Sequence, residues 1–130
     1  MRFARAVFLI AGIYGVVILT PMYFLESRIG RDQPPAITHP EYFYGFLGVA
    51  LAWQVLFLVL SRDPMRYRAM IIPSVLEKVS FGIAVVLLFA QHRLPLATLA
   101  IGSVDWVFVV LFIAVYMATK PRHAAAVNRS

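Results

Sequence analysis

Long apolar runs broken by short charged segments set the plan of this chain. The first run, from about Ala6 to Leu25, holds twenty residues without a charge, between Arg5 and Glu26. A helix rises ~1.5 Å per residue, so such a run covers the ~30 Å hydrocarbon core of a bilayer. Tyr42 to Ser61 is a second uncharged run of twenty, and two further runs cover about Ala69 to Gln91 and Pro95 to Thr119. The pattern predicts an all-α integral membrane bundle of four transmembrane helices in up-down order. One domain then covers 1–130, with spans at about 6–25, 42–61, 69–91 and 95–119. Arg2 and Arg5 before an apolar stretch also resemble the opening of a signal peptide. Leu19-Thr20-Pro21-Met22 offers no small-residue cleavage site, however, and more spans follow, so the first span is read as retained.

The polar segments carry turn chemistry. Residues 26–41 form the only long loop, and Pro34-Pro35 suits a semi-extended connection. Thr38 is expected to cap the second helix, with Pro40 in its first turn and Glu41 returning a hydrogen bond to the cap. Ser61-Arg62-Asp63-Pro64 is expected to be a tight turn, with Asp63 as cap and Pro64 as the first residue of the third helix. Pro73 is expected to kink that helix, because it removes one backbone donor. His92-Arg93-Leu94-Pro95 turns the chain into the fourth span, and Lys120, Pro121, Arg122 and His123 form a basic tail.

Composition sharpens this picture. Hydrophobic residues make up 62% of the 130 and charged residues 14%, about half the charged share of a typical soluble domain. A water-soluble fold of this size has too little interior to hide so much apolar surface. The absence of cysteine excludes disulfide exchange, thiolate catalysis and thiolate metal sites. The net charge of +6 is assigned to cytoplasmic loops and anionic headgroups, not to nucleic acid, since no basic helix or aromatic-plus-basic surface module is present. Eight Lys and Arg fall on the side of the N-terminus, the 61–68 turn and the C-terminus, against three on the side of the 26–41 loop and Arg93. The positive-inside bias therefore puts both termini in the cytoplasm.

Three ionisable residues fall inside spans: Glu77, Lys78 and Asp105. A charge at mid-bilayer costs on the order of 3 kcal/mol or more, so such groups turn inward and find partners. Counting at ~1.5 Å per residue puts Glu77, Tyr14 and Gln54 at nearly one depth. Asp105 lies within reach of a long Lys78 side chain. Neighbours in sequence point about 100° apart on a helix, so Glu77 and Lys78 are expected to pair poorly with each other. The economical arrangement joins Lys78 to Asp105 and leaves Glu77 facing Gln54, Tyr14 or a ligand. Trp53 and Trp106 are also deep, away from the interfacial belts that Trp usually occupies. His39 with Glu41 supplies too few ligands for a metal. Ala11 with Gly15, and Gly48 with Ala52, are small residues four apart that let helices approach closely.

The arginine-flanked first helix, the Pro-containing loop before a Gly-rich second helix, and a last span with Gly102, Asp105, Leu111-Phe112, Tyr116 and a basic end resemble the DoxX-like group of small bacterial membrane proteins. The likeness covers most of the chain and implies the same four-helix fold, with no catalytic residue to carry over. Three functions are open. One is a non-enzymatic inner-membrane protein acting as a partner subunit or as the binder of an apolar ligand, a lipid or quinone. A second is a proton-coupled small transporter using Glu77. The third is an intramembrane lipid or isoprenoid enzyme with Glu77 or Asp105 as the acid. The ligand or proton-site candidates are Glu77, Lys78, Asp105, Gln54, Tyr14, Trp53 and Trp106; no catalytic set, metal site or cofactor is expected. The partners expected are the lipid bilayer, a bound lipid or quinone, and a second copy of the chain or another membrane protein. The location expected is a bacterial inner membrane.

Overall fold

In the computed structural model, which describes residues 1–121, helix α1 (Arg2–Leu19) continues through a 3₁₀ turn (Thr20–Phe24) into a short α2 (Glu26–Asp32). Then come α3 (Pro40–Arg62), a second 3₁₀ turn (Arg68–Met70), α4 (Ile71–Ala90) and α5 (Leu96–Ala118). Among the described residues, four stretches are long and apolar enough to cross a membrane: Arg2–Phe24, Pro40–Arg62, Arg68–Ala90 and Leu96–Ala118, each of 23 residues. At ~1.5 Å per residue each reaches ~35 Å. Large apolar side chains stay exposed on all four, among them Val17, Val49, Leu76 and Val110. Water would penalise such surface and lipid does not. Arg122 and His123, expected in a basic tail, lie outside the described residues.

The chain divides into two units at the Asp63–Pro64 junction. In the first, α1 and α3 run antiparallel. Phe8 meets Phe57, with ring centroids 6.1 Å apart. A Cβ on Gly12 would stand 2.7 Å from Leu58 Cδ2, and Leu19 clusters with Leu47 and Ala50. The buried positions Leu47, Ala50, Gln54, Phe57 and Leu60 recur at three- and four-residue spacing, the stripe a helix turns toward one partner. Gly48 and Ala52, expected as a packing pair, lie instead on the exposed side of α3. On α1 the expected Ala11 and Gly15 are both buried, and Gly12 and Gly15 are glycines that α3 approaches closely. Pro21 lacks the N–H that would continue α1, which tightens into the 3₁₀ turn at that point.

In the second unit α4 and α5 are antiparallel. The buried positions on α4 are Ile71, Ser74, Lys78, Gly82 and Val85, a run of three- and four-residue spacings that forms a seam along one face. Val85 seats on Gly102, where a Cβ would stand 2.8 Å from either methyl, and the Trp106 indole seats on Gly82. These are the close approaches that small residues permit between membrane helices.

Several local expectations are corrected. Residues 26–32 are helical, not part of a semi-extended loop. Glu26 in the first turn and Arg31 in the last complement the helix dipole. Arg28 and Asp32 stand 3.5 Å apart one turn from each other, and Tyr44 Oη donates to Glu26 Oε2 at 2.7 Å, tying α2 to α3. The cap residue of α3 is His39, not Thr38, and no side chain bonds the helix end. Glu41 meets His39 Nδ1 at 3.2 Å, so no capping box forms. Asp63 closes α3 as its C-cap and does not open α4. The chain turns through residues 64–67 and tightens at Arg68–Met70 before α4 begins. Pro73 is the third residue of α4, within the first turn, where the N–H it lacks has no partner inside the helix in any case.

The α4–α5 connection is a Schellman closure. Arg93 N–H donates to Leu88 O at 2.9 Å and His92 N–H to Phe89 O at 2.9 Å. His92 takes the left-handed conformation there, with φ at 57°.

Candidate functional site

Lys78 sits on the α4 seam, and its neighbour Glu77 flanks that seam. Across from them α5 presents Asp105. Lys78 Nζ is 3.3 Å from Asp105 Oδ1 and 3.4 Å from Glu77 Oε2, so one ammonium stands between two carboxylates. The three side chains retain 7%, 18% and 13% of their exposure for Lys78, Glu77 and Asp105, which marks them as largely withdrawn from the surroundings. The structure thus brings Glu77 and Lys78 together, against the expectation from their 100° separation. A lysine stem of four carbons bends back over its own helix, which the angle between Cα positions does not register. Lys78 Nζ also lies 5.8 Å from the centroid of the Phe108 ring, one turn beyond Asp105.

The environment of the trio is built by close helix contact. Ser74 and Ser103 turn their hydroxyls back to Met70 O and Leu99 O at 2.7 Å, and Ser80 bonds Glu77 O. These hydroxyls satisfy themselves within their own helices and add no charge to the trio. Trp106 follows Asp105 directly. Its indole lies where a Cβ on Gly82 would stand, 2.8 Å from Cε2 and 2.9 Å from Nε1, so packing against Gly82 fixes its position. The count of charges is uneven: two carboxyls share one ammonium. A proton on either carboxyl would make the trio neutral.

The other candidates lie in the first unit. Gln54 is 2% exposed, and its Nε2 donates to Ala50 O at 2.9 Å. Its Oε1 has no hydrogen-bond partner among the described residues. Oε1, Cδ and Cγ together occupy the space a Cβ on Gly15 would need. The amide oxygen therefore faces the Gly15 Cα–H, a weak donor that recurs at close helix–helix contacts. Tyr14 is half-buried beside Gly15 in sequence, and Trp53 is half-buried with its ring 6.4 Å from Phe57. His39 and Glu41 meet on the surface with both side chains more than 60% exposed. Among the described residues no three His, Asp or Glu side chains come together as a metal site would require.

Sequence reasoning missed a second cationic position in the α4–α5 unit. Arg68 lays its guanidinium over the Tyr116 ring, 3.7 Å from the centroid, and its Nη2 donates to Tyr116 O at 3.0 Å. An arginine opening one span and a tyrosine closing the next were the available signal. Beside this pair runs a cleft of about 200 Å³ lined by Ile71, Ile72, Val75, Ile113 and Tyr116. A larger hollow of about 440 Å³ lies in the first unit, between α2 and the chain that follows it, lined by Glu26, Ser27, Gly30, Arg31, Ala36 and Ile37. No member of the Glu77–Lys78–Asp105 trio lines either space.

Comparison of the chain with protein-family models, with curated proteins and with solved structures finds no match.

Proposed function

We propose that this chain is a non-enzymatic subunit of a bacterial inner membrane, working as a partner of another membrane protein or as the binder of an apolar ligand such as a lipid or quinone. On this reading the Glu77–Lys78–Asp105 trio is a clasp that holds α4 against α5. The observation that carries it is the placement of the one ammonium within 3.5 Å of both carboxylates, with its own side chain 7% exposed. A lysine so engaged is spent on register and partner choice, the best-attested use of a buried ion pair. Both termini face the cytoplasm in this proposal, supported by the eight-to-three division of Lys and Arg. Membership of the DoxX-like group is part of the same proposal and rests on the arginine-flanked first helix, the proline loop and the Gly102–Asp105 span.

A double-mutant cycle tests the clasp. Lys78→Met and Asp105→Asn, each alone, should lower the folded fraction in detergent, and the double variant should recover most of the loss. Three variants as stable as the parent would remove the structural role.

The second reading, a proton carrier centred on Glu77, is favoured by one specific feature. Glu77 Oε2 is buried, and its 3.4 Å approach to Lys78 Nζ lacks the geometry of a hydrogen bond. Intramembrane acids with incomplete partners mark proton paths in transporters. That reading requires Glu77→Gln to fold normally in proteoliposomes and to abolish pH-gradient-driven flux. A Glu77→Gln protein that loses stability as Asp105→Asn does belongs to the clasp.

A further inference from the structure

From the Arg68–Tyr116 pair and the cleft beside it we infer a site for one anionic phospholipid, its acyl chain in the cleft and its phosphodiester at the arginine. This deepens the lipid-binding arm of the proposed function and makes no use of the trio. The cleft is walled by four aliphatic side chains and one aromatic ring. Such a concavity on a membrane helix pair is matched by an acyl chain. Tyr116 joins the two halves of the site, because its ring lines the cleft and also carries the Arg68 guanidinium at 3.7 Å. The guanidinium uses Nη2 on Tyr116 O and its Nε is buried, so a phosphodiester would meet the remaining Nη hydrogens. A phosphodiester oxygen is the acceptor a half-exposed arginine at the end of a span meets.

Charge complementarity selects the headgroup. This end of the α4–α5 unit carries Arg68 and Lys120, the latter four residues beyond Tyr116. Residues 67–76 and 106–121, which carry Arg68 and Lys120, contain no Asp or Glu. A zwitterionic lipid would bring its own ammonium against them; a lipid with net negative charge does not.

The full chain in a neutral detergent, with dioleoylphosphatidylglycerol, dioleoylphosphatidylcholine or soluble glycerol phosphate added, tests this. Phosphatidylglycerol at about 100 times its dissociation constant should raise the thermal midpoint by on the order of 10 °C. Native mass spectrometry should show it retained about tenfold over phosphatidylcholine. Both effects should vanish in Arg68→Gln and in Ile113→Phe, which fills the cleft from its open side, and persist in Arg31→Gln. Ile113→Phe decides the matter should Arg68→Gln fail to fold. Equal response to the two lipids, an equal shift from glycerol phosphate, selection that survives in either site variant, or its loss in Arg31→Gln overturns the proposal. The trio's role is judged separately, from the stability of its variants with no lipid added, so either idea can fail while the other stands.

Discussion

The two helix pairs solve one problem with different chemistry. At mid-span, α1 and α3 meet through a neutral amide: Gln54 bonds its own helix at Ala50 O and lays its oxygen on Gly15. At mid-span, α4 and α5 meet through charge, with Lys78 between Glu77 and Asp105. Both pairs also use a glycine as a seat, Gly15 for Gln54 and Gly82 for Trp106. The amide can lose its partner at modest cost, because its one bond is a neutral one to its own helix, worth roughly 0.5–1.5 kcal/mol. The trio cannot, because no water waits in the hydrocarbon to receive an abandoned carboxylate. The first pair is therefore fastened mainly by shape and the second by charge.

The largest expected effect breaks the second pair alone. Lys78→Met leaves two carboxyls without their cation and should cost about 3–5 kcal/mol, read as a shift in the detergent-titration midpoint of the full chain. Gln54→Met, nearly isosteric, should cost about 1 kcal/mol or less, since one amide bond to its own helix is lost and an unsatisfied oxygen goes with it. Equal costs for the two would abolish the distinction between neutral and charged fastening.

The glycine seats sharpen the comparison at intermediate size. In Gly15→Ala the new methyl collides with Cγ as well as with the amide end, so the whole Gln54 side chain must leave its place. In Gly82→Ala it meets the rigid Trp106 ring at 2.8 Å. Each should cost about 1–3 kcal/mol net of the helix propensity gained. In a Trp53→Phe background, Trp106 fluorescence should shift in Gly82→Ala and stay constant in Gly15→Ala. A Gly15→Ala protein more stable than the parent would show that shape does not hold the first pair.

The four spans were legible because an uncharged run of about twenty residues is a summed signal that no single residue spoils. The runs read as 6–25, 42–61, 69–91 and 95–119 match stretches at Arg2–Phe24, Pro40–Arg62, Arg68–Ala90 and Leu96–Ala118. Signals carried by one or two residues fared worse. Thr38 and Asp63 have cap chemistry, but the chain enters α3 and α4 by other residues, because cap preferences of ~1 kcal/mol yield to where a span must begin. Helix α2 escaped notice since Gly30 interrupts its pattern, and its support comes from Tyr44, eighteen residues from Glu26. The grouping of Glu77 with Lys78 was hidden by treating side chains as spokes at fixed angles. A better guide was present: Ile71, Ser74, Lys78, Gly82 and Val85 fall on one seam, which puts Lys78 in the helix contact and Glu77 at its margin.

The smallest prediction concerns the turn between α4 and α5 and has the opposite sign. His92 closes α4 at φ 57°, the left-handed region that costs an ordinary L-residue roughly 1–2 kcal/mol and glycine little. Histidine, asparagine and aspartate tolerate that region better than most residues, so the cost here sits at the lower end. His92 is exposed, and the Schellman bonds to Leu88 O and Phe89 O are made by main-chain N–H groups of Arg93 and His92. His92→Gly keeps both bonds and removes the strained Cβ, while the freer unfolded chain takes back part of the gain. The net expectation is a stabilisation of about 0.5 kcal/mol, with His92→Val destabilising because its β-branch crowds the same φ. Both changes touch only the connection and leave the Lys78 contacts alone, so they should add to the cost of Lys78→Met without coupling to it. Strong coupling between His92→Gly and Lys78→Met would mean that the turn, and not the charge at mid-span, sets the alignment of α4 on α5.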